Sequence, residues 1–458
     1  MKNLNNPGIV TGMKIKSVCN WLILLALMVT QAACSQSTGA PLANKLNVEQ
    51  LETDLLTSTP RLTSTAFVPS TPFPTEVIIR GTVSIRHSWD ETQIPVLAQI
   101  IKNFQTIFPD VLFDVLYIPV DNLRARYEQD TQDGIGPTLL LGPAEWGSGL
   151  FKAGLVSVLT GLVGKSLMNM LNGAALEEAK VDGKLAGLPY SIQGVVLYRN
   201  KDIITLTPNT FDDFVTLAQT TSEGDIIGAF LERSFFYSGG HLAGLGGALM
   251  DENGSPAFND PKGIEWLELL KRFEEAGPAD FYTDADLARF KQGKVGWIID
   301  GTWSMRDLAE AIGTDKLAID PWPTYKDGRL AGFVLADNLY LSARAQGDDQ
   351  TATLRFIEYM LSPEAQTLIA DANRIPAGRV VAPTDPEFGP LILQAITALA
   401  NGVSYPTAST ISVYNTNLDI SLRSFFERNS DAGQALQSAQ DAIEAVLAQN
   451  QASATPNP

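Results

Sequence analysis

The chain is poor in the residues that make cross-links and hold metals. It has two cysteines, Cys19 and Cys34, and two histidines, His87 and His241. Both cysteines lie in or at the edge of an N-terminal apolar segment. Cleavage before Cys34 would leave the body with no disulfide and no cysteine-based metal site. Two histidines cannot build a histidine-rich metal centre, and they leave only two candidate bases for a Ser-His-Asp triad. No cofactor and no metal are therefore expected. Positive charge is scarce as well, with 33 Lys and Arg against 51 Asp and Glu, a formal net charge of −18 and a pI of about 4.6. Such a surface repels phosphate backbones and argues against nucleic acid as a partner. The acidic residues form no runs, as in a solvated exterior. Past the N-terminal segment, no stretch is long and apolar enough to span a bilayer.

What is present suits two lobes with accessory segments. There are 458 residues, 45% hydrophobic and 18% charged, enough for a large core without staples. Lys14 and Lys16 precede an apolar run at 21–29, which ends at Gln31-Ala32-Ala33-Cys34. Basic residues, a short apolar stretch and small residues before a cleavage point make a secretory signal. The polar residues before Lys14 leave Met1 and Met13 both open as the start. Residues 35–79 are rich in Ser, Thr and Pro, including Thr57-Ser58-Thr59-Pro60 and Pro69-Ser70-Thr71-Pro72. This composition is expected to form a flexible tether, and 451–458 a disordered tail.

The body reads as α/β. Strands are expected at 81–86, 111–117, 138–141, 195–198 and 295–299. Helices are expected at 94–108, 211–219 with Thr210 as N-cap, 261–275, 351–361, 363–372 and 432–448. Alternation of the two implies a parallel-type sheet with helices on both faces and ligands at the carboxyl ends of strands. Gly244-Leu245-Gly246-Gly247 lacks the Gly-Lys-Ser/Thr ending of a phosphate loop and reads as a loop or tight helix contact.

Several blocks, in order, carry a resemblance. They are Val83-Ser84-Ile85-Arg86-His87-Ser88-Trp89, Gly142-Pro143-Ala144-Glu145-Trp146, Gly183 to Ser191 with Leu197 to Asp202, Phe290 to Trp303, and Phe356 to Gln366. From about 80 to 450 the chain resembles the extracellular solute-binding proteins of ABC importers, family 1, which includes maltose-binding protein. The resemblance implies a periplasmic-binding-protein type II fold, α/β, with two discontinuous lobes and a hinge cleft. One lobe would comprise 80–190 and 336–382, the other 194–333 and 385–450. Ala32-Ala33-Cys34 is similar to a bacterial lipoprotein signal. It implies lipidation of Cys34 and tethering to the outer face of the cytoplasmic membrane, at the cell surface or in the periplasm. An ordinary cleaved signal with an incidental cysteine is the plainer alternative.

The implied ligand is a sugar or short oligosaccharide, the implied partner an ABC permease, and the implied form a monomer that binds without turnover. Sugars need aromatic rings against their C–H faces and polar side chains at their hydroxyls. The strand-end candidates are Trp303 with Asp300, Trp146 with Glu145, and Trp89 with Asp90 and Glu91. Trp303 leads, because the family's stacking Trp follows the Gly of this block. Tyr190 and Gln193 fall at the first crossover, Asn338 near the second, and His87, His241, Tyr414 and Asn415 complete the set. Trp266, Trp297 and Trp322 read as packing residues. Rival readings are a carbohydrate-active hydrolase using a pair such as Glu145 and Asp300, a binding protein for a non-sugar solute, and a receptor serving a sensor kinase.

Overall fold

The computed structural model describes residues 78–454, which belong to one unit, Glu76–Pro458. The expected signal, Cys34 and nearly all of the Ser/Thr/Pro-rich stretch lie outside the described residues. Among the described residues, no helix is long and apolar enough to cross a membrane.

The sheet begins where alternation predicts. In Gly81–His87 the buried Val83, Ile85 and His87 alternate with half-buried neighbours, because successive side chains of a strand face opposite ways. It pairs in parallel with Val111–Tyr117 and with Leu139–Pro143. Helix Ile94–Ile107 turns Leu97, Ile100 and Phe104 inward at spacings of three and four. A second parallel group joins Ile227–Glu232 to Val295–Gly301 and Ala279–Asp280. Helices Phe211–Thr221 and Pro261–Ala276 carry its apolar faces. The first starts on a capping box of Thr210 and Asp213, and the Asp260 side chain caps the second.

Two long strands link these groups, and they make the sheet mixed where a parallel one was expected. Leu188–Asn200 pairs antiparallel with Phe333–Leu341 over 188–194, then with Val295–Gly301 over 195–199 and Leu317–Asp320 over 197–200. A chain that passes from one group to the other and back reverses at each crossing, so its strands meet antiparallel. The exchange of partners falls at Gly194, where a Cβ would stand 2.5 Å from the Phe333 carbonyl oxygen.

Three further segments depart from the sequence reading. Residues 238–241, expected with His241 as a cleft loop, lie within helix Phe235–Gly244. Its glycines let it lie against the 329–333 backbone, with an added Cβ at Gly240 2.7 Å from Ala331 O and one at Gly244 2.2 Å from Arg329 O. Helix Gly347–Met360 starts four residues early, with Asp348 and Asp349 favoured in its first turn. The last helix, Ala432–Ala454, runs past 448 into the expected tail, since neither Gly nor Pro occurs in 449–454. Trp266, Trp297 and Trp322 are buried. The indole N–H of Trp297 donates to Asp320 Oδ2 (2.9 Å) and that of Trp266 to Ser238 O (3.0 Å).

Candidate functional site

The crossing strand Leu188–Asn200 is buried along its 13 residues except at Gln193. That residue lines two adjoining cavities, one of about 370 Å³ and one of about 230 Å³. Together they form a cleft where the two strand groups meet.

Trp303 walls the larger cavity. It follows strand Val295–Gly301 in a short 3-10 turn and keeps 45% of its surface exposed. Gly301 makes room for the indole, since a Cβ there would lie 2.0 Å from ring atom Cζ2. Phe236 lies 6.0 Å from the Trp303 ring and 5.6 Å from that of Tyr405, which lines the smaller cavity. The three rings form an aromatic course from one cavity to the other.

Polar groups face these rings. Asp90, Gln93, Ser191, Asn373 and Arg374 line the larger cavity. Arg374 is held from several sides. Its Nη1 donates to Gln93 Oε1 (3.0 Å), its Nη2 donates to Ser191 Oγ (3.0 Å) and pairs with Asp337, and its guanidinium lies 5.1 Å from the Trp89 ring. Asp337 belongs to the smaller cavity with Glu145 and Glu178. Glu178 ends helix Gly173–Glu178, which Asn172 caps at its start, and Glu178 Oε2 accepts the Ala336 N–H (2.6 Å). Burial pushes the Glu178 carboxyl well above the usual carboxylate range, the Ala336 N–H opposing and the charges of Asp337 and Glu145 adding to it.

Of the residues expected at the cleft, Trp303, Asp90, Gln193 and Glu145 line it. Others sit behind it. Trp89 is 2% exposed, and its indole N–H donates to Tyr190 Oη (2.9 Å). Both rings are closed off by packing, and together they carry Arg374. Trp146 is buried beside Tyr340 and Leu150, against Gly142, so its neighbour Glu145 alone reaches the cavity. His87 is buried, its Nδ1 accepts the Trp89 N–H (3.1 Å), and burial lowers its pKa to about 4. Asp300 is buried at a strand end, accepting from Gly301 N (2.7 Å) and Tyr237 Oη (3.3 Å). Asn338 is wholly buried against Tyr340. His241 is wholly buried too, its Nδ1 at 2.7 Å from Ala331 O. Glu91 is exposed and outside both cavities.

Tyr414 was expected as a cleft aromatic; it is buried in helix Ile411–Arg428, where the helix turns its ring inward to donate to Gly254 O (2.7 Å). The cleft aromatic of this region is Tyr405, whose Oη accepts from Asn415 Nδ2 (2.6 Å). Arg374, Glu178, Asp337 and Phe236 escaped the sequence reading. The last follows Phe235, which is wholly buried, whereas Phe236 is only partly so. Among the described residues, no group of three or more His, Cys, Asp or Glu is arranged to hold a metal ion.

Residues 99–389 match the model of a family described as bacterial extracellular solute-binding protein. Two curated proteins of Bacillus subtilis (strain 168) are similar. Maltodextrin-binding protein MdxE is 27% identical over 44% of this chain and 52% of its own length. Galactooligosaccharide-binding protein is 24% identical over 60% of this chain and 68% of its own length. The chain thus matches about half of the first of these relatives. Among solved structures, a cyclo/maltodextrin-binding protein complexed with maltotetraose aligns with a TM-score of 0.70 at 21% identity, covering 81% of this chain and 98% of that one. An extracellular solute-binding protein from Staphylococcus aureus in complex with maltose also gives 0.70, at 18% identity over 80% and 97%. At such identities these structures speak for the fold, a periplasmic-binding-protein arrangement of two α/β groups about crossing strands. The chain belongs to the bacterial extracellular solute-binding proteins.

Proposed function

We propose that this protein captures a sugar or short oligosaccharide outside the cytoplasmic membrane and delivers it to an ABC permease. The observation that carries this reading is the half-exposed Trp303 ring on the cleft wall, continued by Phe236 and Tyr405. Aromatic faces pair with the C–H faces of sugar rings, and Asp90, Gln193 and Glu145 offer edges for hydroxyls. The course from one cavity to the other favours more than one sugar ring. The names of the relatives, maltodextrin- and galactooligosaccharide-binding proteins, support the same ligand class.

The mechanism is capture, not turnover. Two lobes, 80–190 with 336–382 and 194–333 with 385–450, close about the crossing strands because the ligand binds the closed form better. A hydrolytic pair of Glu145 and Asp300 is disfavoured, because Asp300 is buried and bonded behind the cleft. A lipid on Cys34 and a tether over 35–79 would hold a monomeric body near the permease. A thermal-shift screen over a panel of mono- and oligosaccharides tests the core of the proposal. Binding to the folded state alone raises Tm with sugar concentration, and a panel with no response would overturn the reading.

A further inference from the structure

We propose that the smaller cavity is an ammonium site, which takes the protonated amino group of an aminated saccharide. This rests on the sugar reading and narrows it. The cavity is lined by Glu145, Glu178 and Asp337 with Gln193, Tyr405 and apolar neighbours, and no Lys, Arg or His lines it. The three carboxylates are not alike. Asp337 is already matched by Arg374. Glu145 is exposed at the edge. Glu178 is 4% exposed and forms no salt bridge among the described residues. Its Oε2 accepts the Ala336 N–H, and no hydrogen bond to Oε1 is present among the described residues.

A buried carboxylate without a cation is costly and is normally paired or neutralised. Here it can hold a proton or receive a cation from the ligand. A sugar hydroxyl can donate one hydrogen bond to Glu178 but leaves the charge uncompensated. An ammonium group donates up to three hydrogen bonds and offsets the charge as well. Glu145 adds negative potential at the mouth, and the Tyr405 side chain lines the same cavity. The raised carboxyl of Glu178 agrees with a group whose counter-ion is missing. Glu178 also has a structural part, in accepting the Ala336 N–H, but a Gln carbonyl could accept that bond equally well.

The test uses two matched pairs, glucosamine with glucose and galactosamine with galactose, with maltotriose as a neutral oligosaccharide. Binding is measured by calorimetry on the wild type, Glu178→Gln and Glu145→Gln, at neutral pH, where the amines remain largely protonated and acid does not neutralise the carboxylates. The aminated member of at least one pair should bind about tenfold more tightly than its neutral partner. That ratio should fall to within about twofold in Glu178→Gln and shrink partly in Glu145→Gln, whose exposed site carries little folding risk. Equal affinities within both pairs while a neutral sugar binds would overturn the amine assignment and leave the sugar reading standing. A preference that survives Glu178→Gln would also overturn it. Failure of every probe, maltotriose included, would sink the sugar reading and the amine assignment with it.

Discussion

The indole of Trp303 rests directly over Gly301, so close that a methyl group at 301 would stand 2.0 Å from the ring. The backbone at Gly301, with φ −84° and ψ 159°, is one that any residue adopts. The glycine is therefore required by the ring above it and not by the chain.

Gly301→Ala should displace the indole without disturbing the fold. Sugar affinity is expected to fall by about three- to tenfold, while Tm changes little. Titration of the variant with the best ligand from the thermal-shift panel checks this. Unchanged affinity would mean that the ring does not touch the ligand.

The two tryptophans Trp303 and Trp89 should separate binding from stability. Trp303→Ala removes a half-exposed ring and should cost at least about 1 kcal/mol of binding with the fold intact. Trp89→Ala removes a buried ring and an indole bond to Tyr190. It should cost about 3–5 kcal/mol of stability. Urea unfolding beside ligand titration distinguishes the two, and a reversal of the pattern would exchange their roles.

Arg374→Met should destabilise the protein and weaken binding together. The change leaves Asp337 without its cation at a site 18% exposed. It also frees Gln93 and Ser191 on the cleft floor. A loss of about 2 kcal/mol in unfolding free energy is expected. A companion change, Asp337→Asn, should recover part of it, because the orphaned charge is then gone.

Two buried groups act oppositely on stability as pH changes. Burial lowers the His241 pKa to about 4, below its value of about 6.5 in an unfolded chain. The unfolded chain then binds more protons, so the contribution of His241 is whole above about pH 6.5 and is lost as pH falls toward 4. Burial first, then the charges of Asp300 and Glu232, raise Asp286 to about 7. Here the folded state binds more protons, so stability is whole below about pH 4 and is lost as pH rises through 7. Asp286→Asn should therefore raise Tm at pH 8 relative to the wild type, and the gain should vanish near pH 4. Tm measured across that range checks the sign.

The parts of the fold that were readable from the sequence are those where local pattern and tertiary role agree. Alternation marks Gly81–His87, and spacings of three and four mark Ile94–Ile107 and Pro261–Ala276. Tertiary packing hid the rest. Gly239 and Gly240 suggest a loop until the strand they lie against is known. In the cleft, the Gly301–Trp303 spacing was legible because one residue explains the other. Trp89 and Tyr190 were placed at the ligand because aromatics at strand ends serve both core and cleft, and only the position of Arg374 against them decides between the two. Glu178 and Asp337 meet across 159 residues of chain with no local mark of it.

Leu188–Asn200 gives its first half to one strand group and its second half to the other. Either group that comes undone must release its own half of this strand, so the strand couples the two. The amides along it should be among the last to exchange with solvent deuterium. In the proposed capture mechanism, the most enduring hydrogen bonds would then lie at the point about which the lobes close.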